Sequence, residues 1–241
     1  MFFAEASPVS PLGGPRPAQR WSVEAVIVDL DGTMVDTLGD FDVALNETLK
    51  ALGRPGVTRA DIERMVGKGS AHLIRSALRH GGLDEAGAAA LQDGAWTRYQ
   101  AHYRAINGAH SAVYPGVEAG LQALRDRGLP LACLTNKPLA FARELLRAKG
   151  LDRYFAQVFG GDSFERVKPD PLPLLKTCES LGTAPQVTLM VGDSQNDALA
   201  ARAAGCPVVL VTYGYNHGEP IASAPHDALV DSLASVPALL A

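Results

Sequence analysis

Short apolar runs that alternate with longer helical patterns set the organisation of this chain. The runs begin near Val23, Leu129, Val158, Val187 and Val208, and segments with apolar residues at spacings of three and four lie between most of them. Short apolar runs are typical of buried strands, and the wider spacing is typical of helices with one buried face. Strands that alternate with helices predict an α/β fold built on a doubly wound parallel sheet.

One long helical region interrupts the alternation. After the first strand, the next strand pattern begins only at Leu129, and the residues between them carry the helical spacing. We therefore expect an α-helical insertion at residues 38–108. It separates two parts of one core, residues 23–37 and 109–241.

Composition narrows the classes of protein that fit. The chain has 241 residues and a formal net charge of -4, which gives no indication of nucleic-acid binding. Its apolar runs are too short to span a membrane, so no membrane partner is expected. Residues 1–22 lack the basic region and long apolar core of a cleaved signal, and their prolines and glycines predict a mobile tail.

The cysteines favour a reducing compartment. Cys133, Cys178 and Cys206 are odd in number and have no spacing typical of a metal site. We therefore expect them to be reduced, and the protein to be cytoplasmic. The sequence does not indicate an oligomeric state.

Two carboxylates follow the first predicted strand. Asp29 and Asp31 lie two residues apart, so their side chains leave the strand end in roughly the same direction. Gly32 and Thr33 come next, with backbone N–H groups that can turn towards an anion. The segment predicts a site for phosphate and metal, although the same residue types also form ordinary turns.

Three further strand ends carry polar residues. Thr135 and Asn136 follow one run, Lys168 precedes a helix, and Asp193 follows another run with Asp197 one helical turn later. Taken singly, each has a simpler interpretation as a helix cap or a solvated lysine. Ligands of open α/β sheets bind outside the carboxyl ends of the strands, where all these segments meet. Together they offer the cation, donors and carboxylates that phosphoryl transfer requires.

The four segments DLDGTMVDT, LTNK, VKP and VGDSQND resemble the motifs of the haloacid dehalogenase superfamily of phosphotransferases. The resemblance extends from about Ala25 to the C-terminus. The segments GKGSAHLIRSAL, YPGV, FGGDSFERVKPDPLPLL and VTYGYNHGEP are similar to the narrower family of bacterial phosphoglycolate phosphatases. The resemblance implies a Rossmann-like core, with the helical insertion acting as a cap domain that closes over the site.

The resemblance also implies roles for individual residues. Asp29 would be the nucleophile and become an aspartyl phosphate, and Asp31 would act first as general acid and then as general base. Thr135 would hold a phosphate oxygen, and Lys168 would neutralise charge on the phosphate and on Asp29. Other phosphate-binding candidates are Gly32, Thr33 and Asn136.

A magnesium ion is the implied cofactor. Mg²⁺ would be bound by Asp193, by the Asp29 carboxylate and by the Asp31 backbone carbonyl, all of which are hard oxygen ligands. Asp197 is expected to orient a metal-bound water or Lys168 rather than to bind the ion. Within the insertion, Lys68 lies between two glycines and is the candidate that contacts a substrate carboxylate, ahead of Arg75.

The predicted function is hydrolysis of a small phosphorylated metabolite, 2-phosphoglycolate, to glycolate and phosphate. One alternative is a phosphatase of another small sugar phosphate or phospho-acid. A second is a mutase similar to β-phosphoglucomutase, against which the absence of histidine at residues 37–47 counts. The third is a phosphate-binding module without catalysis, which would not need Asp29, Asp31, Lys168 and Asp193 together.

Overall fold

Strands and helices alternate along the core, as the apolar pattern predicts. A computed structural model describes residues 20–241. The strands are β1 (Ala25–Val28), β2 (Val35–Asp36), β3 (Ala112–Val113), β4 (Leu131–Leu134), β5 (Gln157–Phe159), β6 (Thr188–Gly192), β7 (Val208–Val211) and β8 (Ala228–Val230). The α-helices are α1 (Leu38–Ala51), α2 (Arg59–Met65), α3 (Ser70–His80), α4 (Glu85–Ile106), α5 (Val117–Asp126), α6 (Leu139–Ala148), α7 (Leu172–Leu181) and α8 (Gln195–Ala204). Short 3₁₀ segments lie at Asp152–Tyr154, Pro185–Val187, Ile221–Ser223 and Leu233–Leu239.

A six-stranded sheet with the order β5-β4-β1-β6-β7-β8 forms the centre of the molecule. All of its strand pairs are parallel, and Val28 at the end of β1 is in register with Cys133 of β4 and Val191 of β6. The ends of these three neighbouring strands therefore meet at one edge. The prediction of a doubly wound parallel sheet with a helical insertion is confirmed.

The sheet is buried on both faces. Consecutive residues of β1 alternate between them, with Val26 and Val28 in one hydrophobic cluster and Ile27 in another. Side chains of a strand point to opposite faces in turn, so continuous apolar runs are the pattern that a sheet covered by helices on both sides needs. The two clusters fix β1 at the centre of the sheet and thus fix the position of the residues that follow it.

The helical insertion, α1 to α4, has a hydrophobic cluster of its own. Leu45, Ile74 and Tyr99 are among its fully buried members, and Phe141 and Tyr215 of the core also pack into it. The insertion therefore lies against the core at the edge where β1 and β4 end.

The two ends of the insertion are joined to each other. Strand β2 precedes α1, β3 follows α4, and the two pair antiparallel. The buried carboxylate of Asp40 accepts hydrogen bonds from the backbone N–H groups of Gly108, at 2.9 Å, and His110, at 2.7 Å. A Cβ atom at Gly39 would lie 2.2 Å from the His110 carbonyl oxygen, so only glycine permits this close approach.

The first residues of the described range, 20–241, lie next to the C-terminal residues in space. Trp21 forms a β-bridge with Leu240, and its N–H donates to the Leu239 carbonyl at 3.0 Å. The predicted mobile tail falls largely on residues 1–19, which lie outside the described residues. Among the helices of residues 20–241, none combines the length and the apolar composition that a membrane span requires.

Candidate active site

The loop after β1 brings both of its carboxylates to the edge of the sheet. Asp29 still pairs with β6, since its N–H donates to the Val191 carbonyl at 2.9 Å, and the chain then turns so that the Gly32 N–H donates to Val35 at 2.9 Å. Gly32 has a φ of +85°, and a Cβ atom there would lie 2.2 Å from Asp193 Oδ2. Glycine therefore allows the loop to pack directly on the carboxylate that follows β6.

Lys168 is the cation at the centre of the site. Its side chain is 2% exposed, and its Nζ lies 2.9 Å from Asp29 Oδ1 and 2.7 Å from Asp197 Oδ1. A third oxygen, the Leu134 carbonyl at the end of β4, accepts from Nζ at 2.8 Å. The contact with Asp29 is an ion pair between a buried ammonium and a buried carboxylate.

The charge state of Lys168 follows from its neighbours. Burial lowers the pKa of its ammonium, but the Asp197 and Asp29 carboxylates more than offset burial and raise the pKa above its ordinary value. Lys168 therefore carries its proton at neutral pH. This fixed positive charge is suited to hold an incoming phosphate next to Asp29.

Three buried carboxylates surround this single ammonium. Oxygens of Asp29, Asp193 and Asp197 lie within 4.8 Å of one another. Burial raises the pKa of Asp29 to about 7, against the opposing effect of Lys168, and burial raises the pKa of Asp193 well above its ordinary value, helped by Asp197 and Asp29. If all three carboxyl groups ionise, the site holds more negative than positive charge, and a bound divalent cation would offset the excess.

The residues present fit such a cation, and their contacts divide the carboxylates into two kinds. Among the described residues, Asp29 Oδ1 contacts only the Lys168 ammonium, at 2.9 Å, so it keeps a lone pair for a metal ion. Asp197 is already saturated, because Oδ1 accepts from Lys168 and Oδ2 accepts from the Ser194 hydroxyl at 2.7 Å and from the Ser194 and Asp193 N–H groups. Asp193 accepts one hydrogen bond on each oxygen, from Thr33 and from the Tyr215 N–H, so each of its oxygens keeps a lone pair for a metal ion. Asp29 and Asp193 are therefore better suited as ligands than Asp197, which positions Lys168 and the start of α8.

The predicted phosphate-binding residues also differ in whether their side-chain donors are already bound to protein groups. Thr135 is buried and lines the cavity beside Asp29. The Thr33 hydroxyl instead donates to Asp193 Oδ1 at 2.6 Å. The Asn136 amide donates to the Lys168 carbonyl at 2.8 Å and to the Gly67 carbonyl at 3.0 Å, and its oxygen accepts from the Lys168 N–H at 3.0 Å. In this arrangement Thr33 and Asn136 hold other site residues in place, and their predicted contact with phosphate stays a prediction.

Two amide side chains connect the core to the helical insertion at one backbone atom. The Gly67 carbonyl accepts from Asn136 and also from Asn196, at 3.1 Å. Gly67 and Gly69 both have positive φ angles, 103° and 85°, which glycine adopts without strain. The glycine-flanked segment singled out in the sequence is therefore the part of the insertion that meets the site.

Lys68, which the sequence predicts to contact a substrate carboxylate, lies outside the central cavity. Its side chain is exposed and lines a neighbouring groove between the insertion and the core, together with Trp96 and Arg104. The central cavity is lined by Asp29, Asp31, Thr135, Lys137, Lys168 and Asp193, with Gly67, Gly69 and Ser70 on its insertion side. Its volume is about 30 Å³, so the insertion covers the site closely.

Sequence reasoning missed Lys137. It lies directly after the predicted pair Thr135 and Asn136, where a lysine at the start of a helix is ordinarily solvated. In the structure its side chain is 1% exposed, and its Nζ lies 2.9 Å from Asp31 Oδ1 and 3.2 Å from Oδ2. The one available signal was its place in a strand-end segment already assigned to the site.

Tyr215 was missed as well. Its N–H donates to Asp193 Oδ2 at 2.7 Å, its hydroxyl donates to Asp36, and the same hydroxyl accepts from the Thr37 N–H at 2.9 Å. Tyr215 therefore connects a carboxylate of the site to the entrance of the helical insertion. Tyr215 lies in the segment VTYGYNHGEP, but nothing in that segment singles it out from its neighbours.

Comparisons with known proteins agree with this geometry. Residues 23–205 match the family model of haloacid dehalogenase-like hydrolases. A phosphoglycolate phosphatase of Thiobacillus denitrificans is 44% identical over 212 residues, which cover 88% of this chain and 93% of that protein. One from Nitrosospira multiformis is 44% identical over 211 residues, covering 88% and 92%. The crystal structure of a predicted phosphoglycolate phosphatase from Haemophilus somnus has a TM-score of 0.82 at 33% identity and covers 90% of this chain and 97% of that one.

The raised pKa of Asp29 predicts how the stability of the metal-free protein depends on pH. The pKa is about 7 in the folded protein against 3.8 ordinarily, so the folded state binds the proton more tightly. This contribution to stability is complete below about pH 4 and is lost as the pH rises through about 7. In chelator, the free energy of unfolding of the wild type relative to Asp29→Asn should fall over this range, by at most roughly 1.4 kcal/mol per pH unit.

Urea denaturation of both proteins at several pH values provides the measurement. Added Mg²⁺ should flatten the slope, because a bound cation stabilises the ionised carboxylate. A difference that stays constant with pH, or that rises, would contradict a raised pKa of the buried Asp29 carboxyl.

Proposed function

The chain belongs to the haloacid dehalogenase-like hydrolases and, within them, to the family of bacterial phosphoglycolate phosphatases, and on this basis we propose that it hydrolyses 2-phosphoglycolate to glycolate and phosphate. The observation that carries the proposal is the arrangement of Lys168 between Asp29 and Asp197, with Asp31 two residues beyond Asp29. It supplies a nucleophile, a fixed cation and a separate acid at one cavity.

In the proposed reaction Asp29 attacks phosphorus and forms an aspartyl phosphate. Its carboxylate lies at the end of β1 and is held beside the Lys168 ammonium, which offsets charge on the phosphate as the bond to the leaving oxygen breaks. The Thr135 hydroxyl, which lines the same cavity, donates to a phosphate oxygen. Water then hydrolyses the aspartyl phosphate and regenerates Asp29.

Asp31 transfers the protons of both steps. It donates a proton to the leaving glycolate oxygen in the first step and accepts one from the attacking water in the second. Its side chain lines the cavity, which supports this role. A carboxylate at this position is what a phosphatase of poor alkoxide leaving groups needs.

Asp29 and Asp193, with the Asp31 carbonyl, would hold the Mg²⁺ cofactor that this family generally uses. When bound, the ion supplies positive charge to the phosphate oxygens and to Asp29. Asp197 acts indirectly, since its contacts keep Lys168 and the backbone at Asp193 in place.

We further propose that the helical insertion works as a cap domain that excludes water during the reaction. The two hydrogen bonds to the Gly67 carbonyl and the β2–β3 pair support this, since the first hold the insertion over the site and the second joins its ends. The partner implied by the family is a small phosphorylated metabolite. The three buried, unpaired cysteines agree with the proposed cytoplasmic location.

Phosphate release from a panel of phosphorylated acids and sugars tests the substrate assignment. With Mg²⁺ present, kcat/KM for 2-phosphoglycolate should exceed that for each sugar phosphate by at least about tenfold. Asp29→Asn protein prepared in parallel serves as the control for contaminating phosphatase. Preference for a sugar phosphate would contradict the assignment, and phosphoryl transfer within a sugar without phosphate release would favour the mutase.

Substitution of the paired aspartates separates their roles. Asp29→Asn should abolish turnover of every substrate, because no nucleophile remains. Asp31→Asn should lower kcat for 2-phosphoglycolate by roughly 10² to 10⁴, the usual contribution of acid–base catalysis, but should lower it less for an aryl phosphate, whose leaving group needs no proton. Steady-state kinetics with both substrates provides the measurement, and equal losses for Asp31→Asn would contradict the acid role.

A further inference from the structure

Lys137 is a buried cation for which the proposed reaction has no use. It follows β4 directly, and its side chain lines the central cavity together with Asp31 and Lys168. Its ammonium lies 2.9 and 3.2 Å from the two Asp31 oxygens. An ion pair of this kind, almost removed from water, is expensive to form, which indicates that the position of the charge matters.

Two aromatic rings hold this ammonium from the other side. Nζ lies 4.6 Å from the ring centroid of Phe41 in α1 and 4.7 Å from that of Tyr103 in α4. Aromatic faces attract cations but accept no ordinary hydrogen bond from them, so they fix the ammonium and leave its N–H groups free. Since both rings belong to the helical insertion, Lys137 is fixed where the insertion meets the core.

Lys168 and Lys137 differ in how many of their N–H donors already contact protein oxygens. Lys168 is surrounded by three protein oxygens, those of Asp29, Asp197 and Leu134. An ammonium has three N–H donors, and within residues 20–241 Lys137 donates to the Asp31 carboxylate alone. Lys137 therefore keeps a donor for a ligand, whereas Lys168 does not without exchanging a partner.

The insertion contributes a second feature that favours an anion. Helix α3 begins beside the cavity, with Gly69 as its N-cap and Ser70 as its first residue, and no side chain caps its free N–H groups. The Tyr103 hydroxyl is buried without a hydrogen-bond partner among the described residues. Burial, and next the charge of Asp31, raise the pKa of Tyr103 well above its ordinary value, so the hydroxyl remains a donor.

We propose that Lys137 is the specificity-determining residue that binds the carboxylate of the substrate. This inference rests on the proposed function, in which phosphorus faces Asp29 and the leaving oxygen faces Asp31. In 2-phosphoglycolate one methylene separates that oxygen from the carboxylate. A cation bonded to Asp31 therefore lies on the side of the site where the carboxylate must be.

Lys137 is better placed for this task than Lys68. The Lys68 side chain is exposed in the neighbouring groove, where a carboxylate would stay hydrated. A surface ion pair adds little binding energy, whereas a carboxylate left unpaired in a closed site costs much more. The two lysines therefore make opposite predictions for the same experiment.

The experiment compares 2-phosphoglycolate with its carboxamide, which also has a primary alkoxide leaving group and a similar shape but has no negative charge beside it. The wild type should prefer the acid, and Lys137→Met should lower kcat/KM for the acid by about 30-fold or more while changing that for the amide only a few-fold. Lys137→Gln, which retains a donor to Asp31, should lose the preference similarly. Lys68→Met should retain it, as should Lys176→Met, an exposed lysine on α7.

The possible results distinguish between Lys137, Lys68 and a failure of the proposed function. Equal losses for acid and amide in both Lys137 variants would overturn the proposal and make Lys137 a residue that positions Asp31. Loss of preference in Lys68→Met with Lys137→Gln unaffected would assign the carboxylate to Lys68. A wild type that hydrolyses neither compound but acts on another phosphate ester would refute the proposed function itself. Thermal unfolding of each variant shows whether a loss reflects misfolding.

Discussion

The rest of the site depends on the ion pairs that the buried Lys168 ammonium forms with Asp29 and Asp197. Three carboxylates within 4.8 Å of one another repel strongly away from water, and Lys168 touches two of them directly. Removing one partner of such a cluster leaves uncompensated buried charge and costs about 3–5 kcal/mol. The fold supports this arrangement from several sides, since β4 supplies the Leu134 carbonyl and Asn136 fixes the Lys168 backbone.

The same arrangement explains why the site suits a phosphate ester. One ammonium cannot balance three ionised carboxylates, so ionisation of the cluster favours a divalent cation, which together with Lys168 would offset a phosphate dianion. Asp31 stays apart from this cluster and pairs with Lys137 instead. In the proposed reaction the two lysines therefore have separate tasks, with phosphorus on the side of Lys168 and the leaving group on the side of Lys137.

Much of this could be predicted from the sequence because it depends on local patterns. Apolar runs located β1, β4, β6 and β7, and polar residues after such runs had to meet at one edge of a parallel sheet. What could not be predicted depends on contacts between distant segments. The burial of Lys137 requires Phe41 and Tyr103, which lie in two other helices, and the hydrogen bonds of Thr33 and Asn136 to protein groups depend on Asp193 and Gly67. Strands β2 and β3 are two residues long and leave no periodic signal.

The central claim is that Asp29, held beside Lys168, becomes covalently phosphorylated during turnover. Quenching the enzyme while it turns over 2-phosphoglycolate, reducing it with borohydride and sequencing its peptides by mass spectrometry tests this directly, because borohydride converts an aspartyl phosphate to homoserine. The account predicts homoserine at position 29, dependent on substrate. Turnover without homoserine at that position, or with homoserine at Asp31 or Asp193 instead, would contradict it.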